Sequence, residues 1–303
     1  IITLKCIFED DPSTTSTIAS DHSDQSVRSA LLPPITTMRD ILENLIESVS
    51  PDLIDAALSF LYYQQILTSP SDTVDSKLTS LGLFTAQSST DLTLSKLMIY
   101  GITLGVGIES IIIAAALSQP KTVFRIAHPS IHKDPDEFNS IIAQTFLASV
   151  ILDDGSYSDA LMMVRLFVVW HYLTVEEAKA VMNKYGIVNA RIRHFISSVK
   201  HLVRRCSESN GALRECLDVD AFLRNSYSTS CLEDNYDVHE QVDDEGEPGV
   251  TSHLVPESTG SSDWRNFTEK DIDVKLEEYV KRVVLSEETV MKIRLILLWT
   301  FNH

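Results

Sequence analysis

The stretch Leu97–Leu117 sets the strongest constraint on how this chain can fold. Over 21 residues it carries a single charge, Glu109. A run of that length can cross a bilayer as one helix, and Gly101 and Gly105 supply the GxxxG spacing of packed membrane helices. Three glycines (Gly101, Gly105, Gly107) nevertheless cluster in its middle, and Glu109 would lie at mid-membrane depth. No Lys/Arg cluster flanks either end, as positive-inside anchoring requires. The spacing therefore predicts two buried helices joined at Leu104–Gly107. Glu109 then falls in the first turn of the second, where the helix dipole favours a carboxylate.

The rest of the chain reads the same way. Met38, Ile41, Leu42, Leu45, Ile46 and Val49 recur at three and four, which predicts an amphipathic helix over 36–48. Ser50-Pro51 is an N-cap followed by proline at the first helical position, and a second helix follows through Leu61. Thr68–Lys77 is a polar turn or short hairpin, and a polar, Pro-containing stretch at 119–136 interrupts the helices. Ser158-Asp159 caps an apolar helix from Ala160 to Tyr172. Thr174-Val175-Glu176-Glu177 opens another with capping-box chemistry. Further helices are expected at Ala190–Arg205, about 268–283 and about 286–300, with a short one near Ala212–Leu223. No alternating run is longer than a few residues, so the expected class is mainly α. Trp170 and Trp299 sit on apolar helices and are expected in the core.

Charge is unevenly placed. The net charge is −18, and Ser207–Gly249 alone holds twelve acidic against two basic residues, a net of −10. With the Ser/Thr/Asp-rich loop at 9–30, this tract is expected to be flexible. From Ala178 to Cys206 there is no acidic residue and there are seven basic ones. On the last helix of that stretch Ile192, Phe195, Ile196, Val199, Leu202 and Val203 form one apolar face. Arg191, His194, Ser198, His201 and Arg205 form one polar stripe, and Arg193, Ser197, Lys200 and Arg204 the next. A positive ridge of this kind suits phosphates, since each neutralised phosphate releases a condensed counterion. The bland alternative is a solvated face neutralised by the acidic tract.

No motif carries catalysis. There is no P-loop, no nucleophile elbow and no glycine fingerprint for a dinucleotide. His128 and His132 are four apart, but Pro129 disfavours a helix that presents both, so no metal site is expected. Cys6, Cys206, Cys216 and Cys231 are too scattered for a disulfide scaffold, which points to a reducing intracellular compartment. The chain opens with Ile1, not Met, so a piece of a longer protein is expected.

Several stretches, in order, resemble the C-terminal accessory region of DExH-box RNA helicases, a winged-helix domain followed by a helical ratchet domain. They are Pro51–Leu58 with Leu61 and Ile66-Leu67; Leu78-Thr79-Ser80-Leu81-Gly82, similar to "LT.LG"; and Leu94–Gly101, similar to "..L.KL...G". Glu109–Ser118 with Val123-Phe124 resembles "E...I.AA.LS" and its following "..F", and Ser158–Leu161 with Trp170 resembles "SD.......W". Lys292–Phe301 is similar to the helix before the family's OB-fold. The resemblance covers roughly 1–204 and 285–303. Leu83 departs from the family's usual Arg, Ser88-Ser89 from its "LP", and Val106-Gly107-Ile108 from its usual cysteine. The IIIAAALS run, and Thr3-Leu4-Lys5 followed by Pro33-Pro34, look most like the germline, tudor-domain-containing spindle-E type.

The resemblance implies a partial winged helix at 1–77 (with the flexible loop 9–30) and a helical-bundle ratchet domain at 78–206. It also implies a disordered acidic linker at 207–260, and terminal helices at 261–303 packing back on the ratchet domain. It implies an ATP-dependent RNA helicase of piRNA-guided transposon silencing, cytoplasmic and in germ granules. ATP and Mg²⁺ would be bound by the parent's RecA-like domains, and no cofactor by this chain. The implied partners are single-stranded RNA and the RecA-like domains, with protein partners for the acidic segment and no membrane. Charge placement, not the family, nominates Arg191, Arg193, Lys200, Arg204 and Arg205 as backbone-contacting residues. The alternative reading is a helical protein-interaction module.

Overall fold

A computed structural model describes residues 49–70, 76–88, 90–209, 213–214, 216–228 and 269–301, together with 42 and 47. The loop expected at 9–30, most of the helix expected over 36–48, and the acidic tract from 229 onward lie outside the described residues. Among the described residues eleven helices can be delimited, and β-structure is limited to isolated bridges. The chain is mainly helical, and none of these helices is long and apolar enough to cross a membrane.

The chain forms two compact units, and each draws on separated segments. Unit 1 combines residues 1–121, 193–219 and 286–303, and unit 2 combines 122–192 and 220–285.

In unit 1, α1 (Pro51–Tyr63) buries Ile54, Leu58 and Leu61 against Ile66 and Leu67. Ser50 stands at its N-cap position, but the hydroxyl makes no capping bond. The N–H groups of Leu53 and Ile54 go to the Ser50 carbonyl instead. Leu67 and Leu78 form an antiparallel bridge, and the Thr68 N–H donates to the Lys77 carbonyl at 2.9 Å. The following Leu-Thr-x-Leu-Gly has a packing role. The Thr79 hydroxyl donates to the Gln65 carbonyl at 2.6 Å and accepts the Gly82 N–H at 3.1 Å, which pins the start of α2 (Ser80–Ser88). Gly82 has no side chain because a β-carbon there would stand 2.5 Å from the Ile66 carbonyl oxygen.

The apolar stretch breaks where its glycines fall. Helix α3 (Leu92–Thr103) ends in a Schellman turn. Gly105 takes a positive φ of 75°, the Gly105 N–H donates to the Ile102 carbonyl, and the Val106 N–H donates to the Gly101 carbonyl at 2.8 Å. Helix α4 (Gly107–Leu117) then folds back on α3. Glu109 sits in its first turn. Burial holds that carboxyl above its usual range, offset in part by a backbone N–H and by the Lys292 charge.

Unit 2 is built around α6 (Asp159–Tyr172), where Leu161, Val164, Phe167, Val168 and Val169 are all fully buried. The preceding helix, α5 (Pro135–Asp153), hands over through a tight turn in which Asp154, Gly155 and Tyr157 have positive φ. The Asp153 carboxylate accepts the Tyr157 and Ser158 N–H groups at 2.7 and 2.9 Å. Arg165, only 6% exposed on α6, donates to the Asp153 carbonyl. Thr174 and Glu177 form the expected capping box of α7 (Val175–Tyr185), and Gly186 ends it in the left-handed region.

Two further helices complete unit 2, α9 (Val219–Ser226) and α10 (Glu269–Arg282). Helix α9 falls later than the expected Ala212–Leu223 and inside the span read as linker. Tertiary contacts account for its order. The Tyr172 hydroxyl donates to the Leu223 carbonyl at 3.0 Å, Tyr172 stacks on Tyr227 with centroids 3.8 Å apart, and Tyr227 bridges to Val283.

The α7–α10 contact is held by charge. Lys275 pairs with Glu177 at 3.0 Å and Lys184 with Asp273 at 2.7 Å. The Tyr185 hydroxyl also donates to Asp273. Burial works against both carboxylates. Backbone and side-chain hydrogen bonds and the lysine charges outweigh it, so both are held below their ordinary range. A lowered folded value gives stability above the unfolded pKa, about 4, and withdraws it as pH falls through the folded one. Thermal unfolding followed across pH 7 to 2.5 should therefore weaken below about pH 4. A Lys184→Met, Lys275→Met variant should be less stable at pH 7 and show a shallower acid dependence. Parallel pH profiles would contradict this.

The last helix, α11 (Glu287–Phe301), belongs to unit 1 and buries Ile293 and Ile296. Trp299 corrects the core expectation. It is 51% exposed and meets Tyr100 edge-on, with centroids 6.4 Å apart. Trp170 is half-buried.

Candidate nucleic-acid interface

Helix α8 (Asn189–Ser209) carries the basic stretch. Its apolar spacing folds as expected, with Ile192, Phe195, Val199, Leu202 and Val203 buried, while Ile196 is half-buried. The five nominated residues do not share one role. Arg191 lies in unit 2 and donates from its guanidinium to the carbonyls of Thr122 (3.1 Å) and Phe124 (2.7 Å). It closes the backbone beside the Phe124–Ile187 bridge. The other four lie in unit 1. Arg193, Lys200 and Arg204 are exposed and Arg205 is half-buried.

Among the described residues these four cations have little to neutralise them. Arg204 reaches Glu208 at 3.5 Å, but both side chains are well exposed, and such a pair contributes little. No ion pair engages Arg193, Lys200 or Arg205 among the described residues. From Arg193 to Arg204 the ridge extends about 16 Å at 1.5 Å per residue.

Beside the ridge lies a groove of about 660 Å³. One wall is α8 itself, through His194, Ser197, Ser198 and His201. Thr90 and Asp91 at the start of α3 and Ser118 at the end of α4 line it too, with the exposed Leu117, over an apolar floor of Leu94 and Leu202. These walls are fixed from beneath. The Asp91 carboxylate caps α3 by accepting the Thr93 and Leu94 N–H groups at 2.6 and 3.2 Å. Thr90 shares a hydroxyl cluster with Ser88 and Ser95 (3.0 and 2.8 Å). The sequence pattern of α8 shows its own wall. Thr90, Asp91 and Ser118 are absent from that pattern, because only the turn-back of α4 on α3 brings them there.

A second cleft, of about 480 Å³, lies between α7 and α10 in unit 2. Leu173, Val181, Ile272 and Leu276 line it, with Lys179 and the Glu177–Lys275 pair among its polar groups. His128 and His132 bond to one another, the His132 Nδ1 accepting the His128 N–H at 3.1 Å. No group of three or more potential metal ligands gathers among the described residues. Cys206 is buried, and burial pushes its thiol up to about 11, away from nucleophilic chemistry.

The chain matches no protein-family model, no curated protein and no solved structure.

Proposed function

We propose that this chain is the winged-helix and ratchet region of an ATP-dependent DExH RNA helicase, of the germline piRNA type, and that it binds single-stranded RNA without sequence preference. The observation that carries the reading is the ridge of Arg193, Lys200, Arg204 and Arg205, the first three exposed and the last half-buried, with Glu208 the one carboxylate paired to it among the described residues. Local sign, not the net charge of −18, decides where a polyanion approaches. In this reading the parent's RecA-like domains bind ATP and Mg²⁺, and the ridge forms one wall of the RNA channel, contacting phosphates only. The short Leu67–Leu78 pairing beside α1 and α2 is what this reading takes as the winged-helix remnant. Action in cytoplasmic germ granules follows from the same resemblance.

The test is single-stranded RNA binding across a salt series, beside an Arg193→Gln, Lys200→Gln, Arg204→Gln, Arg205→Gln variant. Arg191 is left intact because it holds the Thr122 and Phe124 carbonyls. Single strands give a slope of about −0.7 per neutralised phosphate, so the variant should lose roughly two to three units of log–log slope. Salt-insensitive binding by the unmodified chain, or unchanged binding by the folded variant, would overturn the reading.

A second reading, a helical protein-interaction module, is favoured by apolar side chains left in solvent. On α5, Phe146 is 69% exposed beside Leu147 and Val150. On α11, Met291 and Leu298 are exposed. Patches of this kind mark partner surfaces. This reading predicts no RNA binding.

A further inference from the structure

We propose that the groove beside the α8 ridge receives a ribonucleoside of the bound strand, and that it distinguishes RNA from DNA through the ribose 2′-hydroxyl. The inference rests on the RNA-binding reading above and adds a subsite to it. Groove and ridge share one helix. His194, Ser197, Ser198 and His201 interleave with Arg193, Lys200, Arg204 and Arg205, so a strand whose phosphates lie on the ridge has its sugars and bases beside the groove.

The groove lining and the ridge differ in charge, with Arg205, on the stripe of His194, Ser198 and His201, at their border. Asp91 places a carboxylate on the groove wall, and a carboxylate repels phosphate but accepts from hydroxyl and base N–H groups. The groove is thus matched to the uncharged parts of a nucleotide and the ridge to the charged part. Among the described residues no hydrogen bond engages the hydroxyls of Ser197 and Ser198 or the rings of His194 and His201. The Ser118 hydroxyl already donates to the Ala115 carbonyl at 2.9 Å, which leaves its lone pairs to accept. Unengaged hydroxyls and imidazoles both donate and accept, as the 2′-hydroxyl does, and that group is what lets a protein tell RNA from DNA. The apolar floor suits the face of a base, and the volume of about 660 Å³ lies in the range of small-ligand sites.

The experiment compares the whole chain's affinity for oligouridylate and oligodeoxyuridylate of equal length, which differ only at the 2′ position. The expected result is RNA tighter by roughly two- to tenfold, the worth of one hydrogen bond. A Ser197→Ala, Ser198→Ala, His201→Ala variant should bind both at the DNA level, with its salt slope unchanged. These side chains lie on the helix surface, and unaltered thermal unfolding serves as the control for folding. Equal affinity for the two strands, with a steep salt slope that the ridge variant loses, would overturn the groove inference and leave the RNA reading standing. So would discrimination that survives in the triple variant. Failure to bind either strand would overturn both.

Discussion

Gly101→Ala is expected to destabilise unit 1 by about 3 kcal/mol or more, although it adds one methyl group. A β-carbon at position 101 would stand 1.9 Å from Ser110 Oγ, 2.3 Å from Ser110 Cβ and 3.0 Å from the Val106 carbonyl oxygen. Ser110 is buried and cannot swing aside, because its hydroxyl donates to that same carbonyl at 2.8 Å. Helices α3 and α4 would have to separate, loosening Ile111 and Ile112, which are fully buried. Two further variants isolate the cause. Adding Ser110→Gly removes both nearest atoms and should recover most of the loss, a coupling that a double-mutant cycle reads directly. Gly105→Ala meets nothing within 4 Å, and its cost should be only that of a left-handed backbone, about 1–2 kcal/mol. If Gly101→Ala unfolds with the wild type, or Ser110→Gly brings no recovery, the close approach is not what holds this hairpin.

Arg165→Ala should cost unit 2 about 2–5 kcal/mol, from the cavity and the unmet carbonyl together. The guanidinium is buried on α6, and it supplies a donor to the Asp153 carbonyl at the end of α5. Burial lowers its pKa, and the charges of Asp154 and Asp153 partly restore it. Its Nε has no partner among the described residues, so the site carries an internal cost already. Alanine would leave a cavity and an unmet carbonyl, beside a turn with three positive φ angles to maintain. Arg165→Met keeps the volume and removes the buried charge, so it should lose far less. Chemical denaturation of the two variants checks the order. Equal losses would show that the hydrogen bond, not the cavity, dominates.

Much of this fold is legible in the sequence where one residue type has one local use. The glycines at 101, 105 and 107 foretell the break in the apolar run, and Ser158 and Thr174-x-x-Glu177 foretell two helix starts, because turn and cap chemistry depend on the nearest few residues. Trp299 shows the limit. Helix α11 is apolar almost all round, so periodicity cannot say that Ile293 and Ile296 turn inward while Met291, Leu298 and Trp299 turn out. Arg191 shows a similar limit. It lies on the same stripe as Arg205, and its bonds to the carbonyls of Thr122 and Phe124, far away in sequence, cannot be read from that stripe. Helix α9 is missed at its true position because tyrosine stacking holds an acidic segment that composition marks as unstructured. The candidate groove needs residues from three helices, and no window of sequence contains them.

The interleaving of the two units carries a consequence for how the protein is made. Every described residue of unit 2 leaves the ribosome before α11 does, whereas unit 1 draws on both the first described helix and the last. Every described part of unit 2 is thus exposed before Ile293 and Ile296 emerge, and until they do the side of α3 that α11 covers stays open. During that interval unit 1 is the part of the nascent chain that chaperones and proteases can read. A fault in α11 would be felt first as a quality-control problem in α3.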